Sequence, residues 1–156
     1  MEFGKDGLVG KLGNIKYNHK IDITQHPNLN FSNKDYIEPD QLVISAIGRQ
    51  KQAKMVDVKT GYEEGNIDLD QLDNYLKLMN NPKSFSTDFD GAEEISLEYL
   101  FLPGKKAGDA KKAAKNAKAE ILKFIKDTIT DKKQREKIIQ NLEVKYIGED
   151  GLLKTL

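Results

Sequence analysis

The chain has no cysteine, so neither a disulfide framework nor a thiolate metal site is available to it. Its only two histidines, His19 and His26, are too few for a histidine-rich zinc site. No apolar run is long enough to span a bilayer, and no signal peptide is recognisable. Net charge is absent as well: 25 basic residues balance 25 acidic ones, so the molecule as a whole is no polycation. No internal repeat and no disordered tract is evident. These absences describe a soluble chain whose stability must come from burying apolar surface. At 156 residues it is long enough for one domain with a proper core.

The charge is unevenly spread. Twelve Lys or Arg stand against five Asp or Glu between Lys105 and Lys137, leaving thirteen against twenty elsewhere. Such asymmetry points to an anionic partner for one face, although a solvated helix face is the plainer account of the same lysines. The first 36 residues are the hardest to read, because Gly4, Gly7, Gly10 and Gly13 break any helix. Ile15–Tyr17 and Lys20–Ile23 alternate as short strands, and the Pro27 and Asn-rich stretch from His26 to Asn33 reads as a loop. The opening Met1-Glu2-Phe3, followed by glycine-rich sequence, looks like a start placed in the middle of something longer.

Beyond this the pattern sharpens. Strands are expected over Asp40–Ile47 and Gln52–Thr60, with a hairpin-like turn at Gly48–Lys51. A polar loop with Glu63 and Glu64 follows. Asp68 offers an N-cap for a helix whose Leu69, Leu72, Leu76 and Met79 recur at helical spacing to Asn80, where Asn81-Pro82 ends it. Glu94–Leu102 reads as a strand with Ile95, Leu97, Tyr99 and Phe101 on one face. A long helix spans about Gly108–Thr128, its apolar face Ala110, Ala114, Ala117, Ile121 and Phe124 or Ile125. Asp131 caps a shorter helix to Asn141, and Leu142–Ile147 forms the final strand. The expected fold class is α+β, with a small central mixed sheet flanked by helices.

The chemistry concentrates between Glu38 and Tyr75. In Val56-Asp57-Val58-Lys59 the strand period places Asp57 and Lys59 on one face and the valines on the other. A carboxylate and an ammonium on a buried face cost several kcal/mol in desolvation, so the pair calls for a purpose. The alternative is an ordinary charged pair on a half-solvated strand. Likewise the plainer readings make Pro39-Asp40 only a turn before a strand, Gln71 a surface residue and Tyr75 a core aromatic.

Taken in order, Pro39-Asp40, sixteen residues, Asp57-Val58-Lys59, then Gln71-x-x-x-Tyr75 opening a helix resembles the PD-(D/E)xK nuclease superfamily, of restriction-endonuclease-like fold. The resemblance covers roughly residues 37 to 102, in the variety with a downstream Gln-x-x-x-Tyr. It implies metal-dependent hydrolysis of phosphodiester bonds in DNA or tRNA. Asp40, Asp57 and the Val58 carbonyl would hold a divalent cation, Mg²⁺ before Mn²⁺ or Zn²⁺. Lys59 would orient the attacking water and stabilise the transition state. Gln71 would bond a phosphate, a water or a site carboxylate, and Tyr75 would brace the substrate or the lysine. Many members take another acidic ligand from a helix before the first strand, which residues 1 to 36 do not supply; Glu38, Glu63 or Glu64 could substitute. Size and the arbitrary start resemble the C-terminal toxin domain of bacterial polymorphic toxins, including contact-dependent inhibition systems. Such a domain would be exported, act in the cytoplasm of a target bacterium, and be neutralised by a cognate immunity protein. A restriction or repair nuclease of the same fold, and a non-catalytic binding module such as an immunity-type protein, are the competing expectations.

Overall fold

The computed structural model describes residues 14–32, 35–60, 67–105 and 109–156. Its described residues form an α+β fold with three helices and a six-stranded mixed sheet ordered β1-β4-β5-β6-β7-β8. The strands are β1 (Asn14–Tyr17), β2 (Ile21–Asp22), β3 (Tyr36–Ile37), β4 (Gln41–Ile47), β5 (Gln50–Thr60), β6 (Glu94–Leu102), β7 (Leu142–Ile147) and β8 (Leu153–Thr155). The helices are α1 (Leu69–Asn80), α2 (Asp109–Thr128) and α3 (Lys132–Gln140). Among the described residues no helix is long and apolar enough to cross a membrane.

The chain forms two compact units: the described residues of Met1–Val56 with Asp73–Ser96, and those of Asp57–Leu72 with Leu97–Leu156. In the first unit β1 and β5 flank β4, both antiparallel, from Asn14 opposite Ile44 to Gln41 opposite Val56. The β4–β5 hairpin turns on Gly48 and Arg49, between the paired Ile47 and Gln50. Gly48 has φ of 63°, a conformation open to glycine because it lacks Cβ. Leu42, Ala53 and Met55 are fully buried. The loop before β6 is tied down electrostatically: Lys16 reaches Asp90 at 3.3 Å, and His19 Nε2 lies 2.9 Å from Asp88. His26 stacks at a tilt on Phe85, ring centres 4.5 Å apart.

The second unit holds β6 parallel to β7, with β7 antiparallel to β8. Leu97, Tyr99 and Phe101 are buried, as the alternation predicts. On α2 the buried residues are Ala110, Ala113, Ala114, Ala117, Ile121 and Ile125, so Ile125 rather than Phe124 completes the apolar face. Four alanines let the helix approach closely over a narrow stripe. Asp131 caps α3, accepting from the Lys133 amide at 3.1 Å.

Two expectations need correcting, and one strand was not anticipated. The chain does not end its sheet at Ile147: β8 follows, returned by a turn at Gly148–Gly151 that strand propensity alone did not announce. Tyr36–Ile37 is a strand, pairing with β2 in a separate two-stranded ribbon. Leu69, expected on the apolar face of α1, is 38% exposed, whereas Leu72, Tyr75, Leu76, Leu78 and Met79 are buried. Leu69 is the first helical residue and precedes the turn that packs. Glu63 and Glu64, and the glycines from Gly4 to Gly13, lie outside the described residues.

Asp68 performs the expected cap. Its Oδ1 accepts from the amides of Asp70 at 3.0 Å and Gln71 at 3.2 Å, two of the donors a helix start leaves without partners. Asp68→Ala is expected to destabilise the protein by about 1 kcal/mol, and Asp68→Asn by much less. Urea unfolding of the two variants checks this.

Candidate functional site

The second unit carries the side chains that the motif singled out at the end of β5. Asp57 is 4% exposed, so this is no half-solvated surface pair. Alternation along β5 brings Lys59 back to the same face, where its Nζ lies 3.3 Å from Asp57 Oδ2. The lysine side chain is 12% exposed. Its ammonium also donates to Gln71 Oε1 at 3.1 Å. The Asp68 cap sets the first turn of α1, and that turn presents Gln71 to the strand. The carbonyl oxygen of Gln71 thus meets the lysine, and its amide nitrogen carries two N–H donors.

Tyr99, from β6, is a member of the site that sequence reasoning placed only in the core. The Lys59 ammonium lies 5.9 Å from its ring centroid. Burial above all, then the negative charges of Asp57 and Asp68, hold its phenol well above the ordinary value near 10. Tyr99 therefore stays a neutral hydroxyl beside the ion pair. A phenol at the centre of an otherwise aliphatic and phenylalanine face was the available signal. The unfolded chain ionises this group at lower pH than the folded one, so the folded state holds more protons above pH about 10. Stability is expected to fall as pH rises through that range, and Tyr99→Phe to lessen the fall. Urea midpoints between pH 8 and 11 provide the measurement.

Asp40 and Tyr75 belong to the first unit. Asp40 is exposed, immediately before β4, and its carbonyl accepts from the Asn18 amide at 3.2 Å. Tyr75 is 1% exposed on α1. Such burial suits a residue that braces neighbours rather than one that touches a large substrate. Glu38 is half-buried just before Pro39. Val58 is half-buried between the two charged residues, and its backbone carbonyl is a hard oxygen donor.

A second ionic pair occupies the same unit. Glu98 is 6% exposed, and its Oε1 lies 2.7 Å from Lys145 Nζ, with Glu143 at 3.6 Å from the same nitrogen. Burial works against the charged form of Lys145, but the hydrogen bond and charge of Glu98, then those of Glu143, outweigh it and raise its pKa. Since Tyr99 faces Lys59, its neighbour Glu98 points to the opposite side of β6. The two pairs are chemically alike; Asp57–Lys59 has the Gln71 amide and the Tyr99 phenol beside it.

Oxygen donors of the Asp57 and Val58 kind suit Mg²⁺ or Mn²⁺ better than Zn²⁺, which proteins hold chiefly through sulfur and nitrogen. Among the described residues no group of three or more His, Cys, Asp or Glu side chains is arranged to hold a metal. A magnesium set of one or two carboxylates with a carbonyl and waters does not need one. No protein-family model matches the chain, and neither does any curated protein or solved structure.

Proposed function

We propose that the protein is a metal-dependent endonuclease of the PD-(D/E)xK type, with a restriction-endonuclease-like core, hydrolysing phosphodiester bonds of DNA or tRNA. One observation carries this reading: a nearly buried lysine ammonium held between the Asp57 carboxylate at 3.3 Å and the Gln71 amide at 3.1 Å. A structural ion pair needs a carboxylate and a cation; the added amide, supplied by a capped helix start, is what orients that cation. The order of strand, strand and helix agrees with the motif order.

Asp57, Asp40 and the Val58 carbonyl would hold the divalent cation. When bound, that cation lowers the pKa of a water and offsets charge on the phosphoryl oxygens. Lys59, oriented by Asp57 and Gln71, donates to the attacking water, and its positive charge stabilises the oxygen that gains charge in the transition state. Fixing the ammonium beforehand avoids reorganisation at the moment of reaction. The Gln71 nitrogen is the donor available to a phosphate oxygen, Tyr99 supplies a neutral hydroxyl, and Tyr75 braces α1. Its size suits delivery as a bacterial toxin domain, restrained by an immunity protein in the producing cell.

The test incubates the purified protein with supercoiled plasmid and with total tRNA in Mg²⁺, Mn²⁺ or Zn²⁺. Cleavage of at least one substrate is expected, and its complete loss on chelation. Folded protein that cuts neither substrate under any metal would be a binding module instead.

A further inference from the structure

Helix α2 separates its charges around its axis. At 100° per residue, Lys111, Lys112, Lys115, Lys118, Lys123 and Lys126 occupy one arc of about 140°. The helix's three acids, Asp109, Glu120 and Asp127, fall together beyond one edge of that arc. The buried alanines and isoleucines take the remainder. Five of the six lysines are exposed; Lys118 is half-buried and donates to the carbonyl of Leu156 at 3.4 Å. Among the described residues no carboxylate forms an ion pair with any of them. By contrast Lys16, Lys59, Lys77, Lys145 and Lys154 are each paired with a carboxylate.

We propose that this arc is a binding track for the phosphate backbone of a nucleic-acid duplex. From Lys111 to Lys126 the helix rises about 22 Å. All six ammoniums can engage one polyanion together only if it stays straight over that length. A duplex does so without any ordering, its persistence length being about 500 Å; a single strand or an acidic peptide must be straightened first. Single-strand tracks also use aromatic platforms for base stacking, and this arc has none, its other members being the exposed Ala119 and the half-buried Leu122. Lysines on flexible stems contact phosphates without reading sequence, so the binding is sequence-independent.

The proposal rests on the nuclease reading only for its choice of partner, and its test reads binding with no turnover. Affinity for a labelled duplex of random sequence is measured in chelator from 50 to 200 mM salt, with duplex integrity checked on a denaturing gel. Replacing Lys112, Lys115, Lys123 and Lys126 by Gln should make the slope of log affinity against log salt shallower by about 3.6, four contacts at about 0.9 each. The same four positions as Arg should keep the slope. Gln substitutions at Lys20, Arg49, Lys51 and Lys83, all exposed in the other unit, change net charge equally and should barely move it. An unchanged slope in the α2 Gln variant, with its folding confirmed by circular dichroism, overturns the proposal. So does equal or tighter binding of polyglutamate or of a single strand, which would make the arc a surface for an acidic protein or an unpaired strand. Loss of cleavage with duplex binding intact would count against the nuclease reading alone.

Discussion

Lys59→Met is expected to destabilise the fold by about 3–5 kcal/mol, the penalty for leaving a buried carboxylate without its cation. Asp57 is 4% exposed and the pair is 3.3 Å apart, so little water is available to take the lysine's place. The double variant Asp57→Asn with Lys59→Met removes both charges and should recover most of that loss, since the isolated charge rather than the missing attraction dominates. Denaturant unfolding of wild type, both single variants and the double variant gives the coupling energy directly. A loss below about 1 kcal/mol in Lys59→Met would place the pair among solvated surface bridges and remove the reason for reading it as a site. Hydrolysis distinguishes the two roles of the pair. The double variant regains stability but should stay inactive, because nothing remains to donate to the developing charge.

The second large effect separates two similar carboxylates. Asp57→Asn should lower the cleavage rate by more than about 100-fold, the usual scale for removing a preorganised electrostatic group. Glu98→Gln also disrupts a buried ion pair, 2.7 Å from Lys145, and should lower stability by about 1–3 kcal/mol while leaving the rate nearly unchanged. Glu98 points to the other side of the sheet, away from Gln71, Tyr99 and Lys59. Rate constants under single-turnover conditions, measured well below each variant's unfolding midpoint, discriminate between the outcomes. Equal rate losses at Asp57 and Glu98 would show that activity merely follows stability, and the proposed role for Asp57 would fail.

Much of this protein was legible in its sequence, because strand and helix periods are local properties of the chain. The alternation through Val56-Asp57-Val58-Lys59 already placed the carboxylate and the ammonium on one face. Asp68 and Asp131 announced helix starts through the short-range reach of a carboxylate to the next amides. The Ile95, Leu97, Tyr99 and Phe101 series marked the apolar face of β6, and the alanine spacing marked that of α2. Other features depend on which distant segments meet. No local pattern says that Gln71 turns its carbonyl to Lys59, that Tyr99 joins them from another strand, or that Glu98 is paired by Lys145. Nor does β8 advertise itself: its short, exposed residues form a strand because β7 offers an edge to pair with. Side-chain period and capping are decided within a few residues of the chain, whereas the depth of burial and the partner of each charge are decided by packing between segments far apart in sequence.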